Sequence, residues 1–278
     1  MLVTGGSGRI GNHVVGALCD RGHRVISYDR RKQSDARAEF VFGNVHEREQ
    51  VQSVMKGCDV VCHLAEIPGP VSGVSEDEIY WSNAKAGSVV MQTGADLKIK
   101  RVIYTSTCQV YGTWGGPYIP PVRLPVDESH PIQPGNVYAF SKVANEGFAR
   151  LTSHIHGLPI SIFRLPMVIW HGNLHLFHSR MDSGPAPEMG TYVDATDAAL
   201  AYVAAVESDR PGCEAYNIAA ADVMSNIPIR ARLLEHHPNY PALPESWPDF
   251  KAPILSEKAR EHFGWEAKWD MRSGMIQK

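Results

Sequence analysis

The sequence has no long apolar run: nowhere do its 278 residues approach the ~18 consecutive apolar residues of a membrane span. It also has no surplus of positive charge. A net charge of -3 argues against binding nucleic acid or an anionic membrane through a basic face. The first residues, Met1 to Gly6, carry no basic stretch and no cleavage site, so no signal peptide is expected. Cysteine is sparse. Five residues, at 19, 58, 62, 108 and 213, are an odd number thinly spread, and they read as free thiols in a reducing, cytoplasmic setting. Cys58 and Cys62 have no second pair to complete a zinc site, so packing is their expected role. Internal repeats and low-complexity segments are absent too. What remains, 44% hydrophobic and 21% charged residues, is globular composition at a length suited to one large domain or a large one carrying a small one.

The first two-thirds alternates short apolar strands with amphipathic helices. Strands are expected at Leu2-Val3, 24–28, 59–64, 101–105 and 159–164. Helices are expected over 9–21, 47–56, 76–97 and 136–155. In the last of these, Ala144, Phe148, Leu151 and Ile155 fall on one apolar face. Residues 112–135 are rich in proline and glycine and read as a long loop. After Arg164 the pattern loosens: 171–190 is irregular, 193–206 an Ala-rich helix, 215–218 a short strand, 238–253 proline-rich, and 256–262 a short helix with Ser256 as N-cap. Strands alternating with helices imply a doubly wound parallel α/β sheet. The irregular remainder would cover the sheet's carboxyl edge, where ligands bind in open α/β sheets.

Gly5, Gly8 and Gly11 lie between a strand and a helix, the spacing of a dinucleotide-binding turn. Gly5 would make the turn, Gly8 would admit a pyrophosphate, and Gly11 would let helix and strand pack. Asp29 ends the second strand, 18 residues past Gly11. There it can accept both adenosine ribose hydroxyls and repel a 2′-phosphate, which favours NAD over NADP. Arg30 and Arg31 follow directly and could instead grip that phosphate. Further on, Lys142 falls one helical turn after Tyr138, on the same face. A neighbouring ammonium stabilises phenolate, so Tyr138 is expected to titrate below its free value and to serve as general acid/base.

The chain resembles the extended short-chain dehydrogenase/reductases, of the NAD-dependent epimerase/dehydratase family. The matching segments run in order: TGGSGRIG at 4–11, Asp29, HLA at 63–65, Asn83, TSTCQVYG at 105–112, YAFSK at 138–142, TYVDATDAA at 191–199, YNI at 216–218 and SEKAREHFGW at 256–265. The resemblance implies a Rossmann-type domain over 1–166, to which 191–218 returns, and a small C-terminal substrate-binding region formed by 167–190 and 219–278. It implies NAD as cofactor, held by the glycine turn with Arg9 and Ile10, by Asp29, by Asn44 and Val45 against adenine, and by Leu64, Ala65, Asn83, Tyr138, Lys142 and Pro166. Thr107 falls where the catalytic hydroxyl sits beside Tyr138, with Thr105 and Ser106 as competitors. Lys142 would bond the nicotinamide ribose. Relatives pair through the helices corresponding to 76–97 and 136–155, so a homodimer is expected.

Other positions depart from the family pattern and bear on the substrate. Thr107-Cys108-Gln109 stands where dehydratases carry Thr-Asp-Glu, and neither Cys108 nor Gln109 can do that carboxyl chemistry. The Asn and the Arg that nucleotide-sugar epimerases place near the fifth strand and before Tyr192 are missing. A diphosphate wants cationic partners. The expectation is therefore hydride transfer at a secondary alcohol or ketone of a sugar or sugar derivative, with nucleotide-sugar epimerisation as the alternative and a non-catalytic NAD sensor behind both. Candidate substrate residues are Glu66, Thr107, Cys108, Gln109, Trp170 and His171. Trp170 could stack on a sugar ring or simply sit in the core. His171, His175 and His178 are spaced as metal ligands can be, but Gly172 and Asn173 oppose a helix there, and no metal is expected.

Overall fold

A computed structural model of the chain describes all residues except 33–34, 70–71, 114–118, 171–186, 272–274 and 277–278. Seven strands form one parallel sheet: β1 (Leu2–Thr4), β2 (Ile26–Asp29), β3 (Glu39–Phe42), β4 (Val60–His63), β5 (Arg101–Thr107), β6 (Ile160–Leu165) and β9 (Cys213–Asn217). Their order is β3-β2-β1-β4-β5-β6-β9, so the chain runs outward from β1 in one direction and then crosses to β4 and runs outward in the other. The two halves diverge between β1 and β4, and ligands bind in the crevice at that switch point. A separate parallel pair joins β7 (Met167–Ile169) to β8 (Tyr192–Asp194).

The central strands are apolar and buried on both faces, as parallel strands are. One face is covered by α1 (Arg9–Asp20) and the helix Ala195–Val206, through Val14, Val15, Leu18, Tyr202 and Phe163. The other is covered by α2 (Arg48–Met55), α3 (Glu76–Asp96) and α4 (Val137–His156), through Val51, Met55, Val90, Met91 and Tyr104. Each fully buried Val, Leu or Met contributes about 1.5–3 kcal/mol. Side-chain caps fix where the long helices start. The Ser75 hydroxyl accepts from Glu78 N, and Glu76, Asp77 and Glu78 fill the first turn of α3, favourably for its dipole. The Asn136 side chain accepts from Ala139 N at 2.7 Å, and Gly157 at φ 67° closes α4. That cap puts Tyr138 in the first turn of α4.

Several expectations shift. The second strand is Ile26–Asp29, not 24–28, and the Ala-rich helix starts at Ala195, because 192–194 pairs as β8 and the Asp194 carboxylate caps the helix. Ser256 stands at the N-cap as expected, but its hydroxyl donates to Ala219 O and makes no side-chain cap bond. β3, β7 and the helix Ile229–His236 were not anticipated. The apolar stripe of α4 is split: Phe148 packs in part against the core, while Leu151 and Ile155 are 53% and 61% exposed. The buried face instead carries Ser141, Lys142, Asn145, Glu146, Thr152 and Ser153.

Candidate active site

The glycine turn leaves β1 at Gly5, where a φ of 71° and a Cβ that would stand 2.7 Å from Ala65 N exclude a side chain. Gly11 is excluded likewise, since a Cβ would stand 2.1 Å from Gly5 O. α1 thus begins directly over the strand end. Its start has neither a side-chain cap nor an acidic residue in the first turn, which leaves the positive end of the helix dipole for an anion. A cleft of about 460 Å³ opens over this edge, lined by Gly5, Gly8, Asp29, Asn44, Val45 and Ala65 among others. The Asp29 carboxylate accepts Ser7 N and Arg31 N, both at 3.0 Å, and so ties the turn to β2. Each of its oxygens keeps a lone pair for a ribose hydroxyl. Arg30 and Arg31 line the same cleft. Size, bare helix end and acidic corner together fit a dinucleotide.

Other expected cofactor residues act less directly. Ile10 packs into the core, and Arg9 lies with its guanidinium 5.2 Å from the centre of the Trp170 ring. Trp170 is therefore neither a core residue nor a bare stacking platform; it faces the glycine turn. Asn83 is fully buried, and both ends of its amide bond the backbone of Ile67, at 2.8 and 3.1 Å, so it holds the 64–67 loop rather than facing the cleft. Leu64 lines the cleft, and Pro166 is buried just past β6. His171, with His175 and His178, lies outside the described residues.

The three hydroxyls at the end of β5 separate cleanly. Thr105 bonds His63 O and the Tyr202 phenol, and Ser106 donates to Glu146, so both face inward. Of the three, Thr107 lies near enough to the Tyr138 phenol to favour its ionised form, and its hydroxyl accepts from Gln109 N at 3.2 Å. Lys142 Nζ donates to Thr105 O at 2.8 Å and lies 5.4 Å from the Tyr138 ring centre. The structure thus brings Thr107, Tyr138 and Lys142 together, with Lys142 paired to Glu66, which borders the cleft. The expected lowering of Tyr138 is reversed by the protein groups themselves. Burial and the Glu188 carboxylate push the phenol well up, and only Thr107 opposes them. Burial likewise pushes the Lys142 ammonium down, against the pull of Glu146.

Two expected substrate residues have buried side chains, although Glu66 still borders the cleft. Cys108 is fully buried, its thiol donating to Arg164 O at 3.3 Å, because the 3-10 turn after Thr107 points it into the core. Glu66 has a side chain only 3% exposed and pairs with Lys142. Gln109 remains at the site, held by Asn136 at 3.1 Å. Three groups were missed. Arg164 and Glu146 form a buried two-pronged ion pair, at 2.9 and 2.7 Å, behind α4. Glu188 is buried at a left-handed φ of 47°, bonded to Met167 N, and burial pushes its carboxyl up to about 8. All are partnered across long sequence separations, and no local spacing announces them. Among the described residues no cluster of three metal-ligating side chains occurs, and no helix is long and apolar enough to cross a membrane.

Fold and site define a dinucleotide-dependent enzyme of the Rossmann type. The chain belongs to the NAD-dependent epimerase/dehydratase family, which matches residues 1–183, and NAD is the cofactor that membership brings. It is 35% identical over 174 residues to a UDP-glucose 4-epimerase of Azospirillum brasilense, covering 59% of this chain and 47% of that one. The chain spans about half the length of the first curated relatives it matches. A UDP-glucose 4-epimerase of Streptococcus mutans is 24% identical over 97% of this chain and 92% of its own. Among solved structures, UDP-glucose 4-epimerase of Thermotoga maritima superposes with a TM-score of 0.74 at 21% identity, over 99% of this chain and 96% of that chain. A dTDP-glucose 4,6-dehydratase of Streptomyces venezuelae gives 0.75 at 20%, over 99% and 94%. These superpositions establish the fold.

Proposed function

We propose that the protein oxidises or reduces a secondary alcohol or ketone of a sugar or sugar derivative, with Tyr138 carrying the proton. The observation behind this reading is the joined set of Thr107, Tyr138 and Lys142, tied through Glu66 to the dinucleotide-sized cleft. NAD, when bound, supplies the hydride acceptor. As the substrate carbon gives up its hydride and its C–O bond becomes C=O, the Tyr138 phenolate takes the hydroxyl proton. Thr107 orients the reacting oxygen. Lys142 stabilises the phenolate against the burial that opposes it. The expected cofactor contacts of Asp29, Asn44 and Val45 belong to the same reading.

Nucleotide-sugar epimerisation is the second reading, favoured by the names of the relatives in Azospirillum and Streptococcus. Against it stand the missing Asn after Arg164 and the Gly190 that takes the place of an Arg before Tyr192. Incubation with NAD and free sugars, sugar acids or UDP-sugars, followed by NADH absorbance and by separation of epimers, tests both. NADH accumulation with a free sugar supports the first reading. Epimer formation from a UDP-sugar without NADH accumulation replaces it with the second.

The protein is proposed to work as a homodimer in a reducing, cytoplasmic setting. Trp81 on α3 and Phe140, Leu151 and Ile155 on α4 are 51–66% exposed on neighbouring helices, an apolar area that a second copy would cover. The five cysteines, all free, fit a compartment that keeps thiols reduced.

A further inference from the structure

We propose that Glu66 is a positioning residue for Lys142: its carboxylate fixes the lysine under Tyr138 and keeps the ammonium charged there. Glu66 lies in the connection between β4 and α3, far from Lys142 in sequence, and the fold brings the two together with side chains 3% exposed each. Three donors converge on the one carboxylate. The Tyr104 phenol and Asn145 Nδ2 reach Oε1 at 3.0 and 3.1 Å, and Lys142 Nζ pairs with Oε2. The scaffold around this pair is tight. Asn145 also donates to Asn83 O at 2.9 Å, and Asn83 clamps the backbone of Ile67 next door. α3 has glycine at 87, where a Cβ would stand 2.4 Å from the Asn145 amide.

The charges around Lys142 leave this task to Glu66. A buried ammonium needs a carboxylate partner or it sheds its proton. Glu146, on the same helix, is already bonded through both oxygens to Arg164 from β6 and also to Ser106 and Arg150. His63 on β4 is held neutral, burial pulling it down to about 3. Tyr104 on β5, with its ring centre 5.4 Å from Nζ, is pushed far up by burial and stays a phenol. Tyr202, on the helix Ala195–Val206, is likewise pushed up by burial. Glu66 is the one carboxylate paired directly with the lysine among the described residues.

This inference rests on Tyr138 as proton carrier, yet it can be tested without substrate. Lysine labelled at Cε, with the Lys142 signal assigned by its loss in Lys142→Met, is followed by carbon NMR across pH in the unmutated protein and in Glu66→Gln. The ammonium midpoint of Lys142 should fall in Glu66→Gln by at least about one pH unit, tenfold in the charged fraction. In parallel, the phenolate absorbance assigned to Tyr138 by its loss in Tyr138→Phe should move to higher pH. An unchanged or higher Lys142 midpoint overturns the proposal. If Glu66→Gln does not fold, Glu66→Gln/Lys142→Met decides. Removing both charges should restore a folded protein, and equal instability of single and double variants overturns the pair. A flat Lys142 response leaves the proton carrier standing. Near-normal turnover in Tyr138→Phe removes the carrier and leaves the pair.

Discussion

On the inward face of α4 lie Lys142, Asn145, Glu146 and Thr152, each buried; on the outward face Phe140, Leu151 and Ile155 are each more than half exposed. An ordinary surface helix has the opposite arrangement. The inward charged and amide groups are tolerable because each has partners. Glu146 pairs with Arg164, Asn145 bonds Glu66 and Asn83 O, and Lys142 bonds Thr105 O and pairs with Glu66. A fully partnered polar face rigidifies what it holds, and here it holds the residue one turn away, Tyr138. The outward face is apolar and exposed instead. The difference matches the two tasks proposed for this helix, chemistry inside and association outside.

The largest effect should come from breaking the inward face. Glu146→Ala leaves Arg164, 1% exposed, without its carboxylate, and urea unfolding should register a loss of about 3–5 kcal/mol. The outward face should respond differently. Leu151→Lys with Ile155→Lys should change folding stability by no more than about 0.5 kcal/mol, while light scattering records monomers in place of dimers. Loss of folding in that pair would mean that the face belongs to the core after all.

A smaller effect distinguishes the faces by pH. Arg164 holds the Glu146 carboxyl below its ordinary 4.5, despite the burial that raises it. A folded-state value below the unfolded one means stability that is present above pH 4.5 and lost as the pH falls through the folded value. Glu146→Gln should therefore flatten the acid limb of the stability curve, and the outward variants should leave it unchanged. Urea midpoints measured at successive pH values check this.

Much of the cofactor side was legible because its chemistry is local. A glycine turn between a strand and a helix, an acid at the next strand end, and a tyrosine one helical turn before a lysine each fit within a few residues. The polar inward face of α4 was not legible. Phe148, Leu151 and Ile155 keep the apolar period, and nothing nearby reveals that Arg164, Glu66 and Thr105 wait to partner the other face. β3 escaped because its EFVF segment is a half-exposed edge strand, with Phe42 72% exposed, and so lacks the apolar run of the central strands. Glu188 escaped because its backbone conformation and its bond to Met167 N arise only where the second strand pair forms.

The proton is proposed to travel through Tyr138, which the inward face of α4 holds. The most direct test is Tyr138→Phe, measured for turnover on the identified substrate and for NAD affinity by fluorescence titration. Turnover should fall by about 10²–10⁴ while NAD affinity stays within about threefold, because the lost hydroxyl acts in the chemical step. Turnover near that of the unmutated protein would contradict the claim.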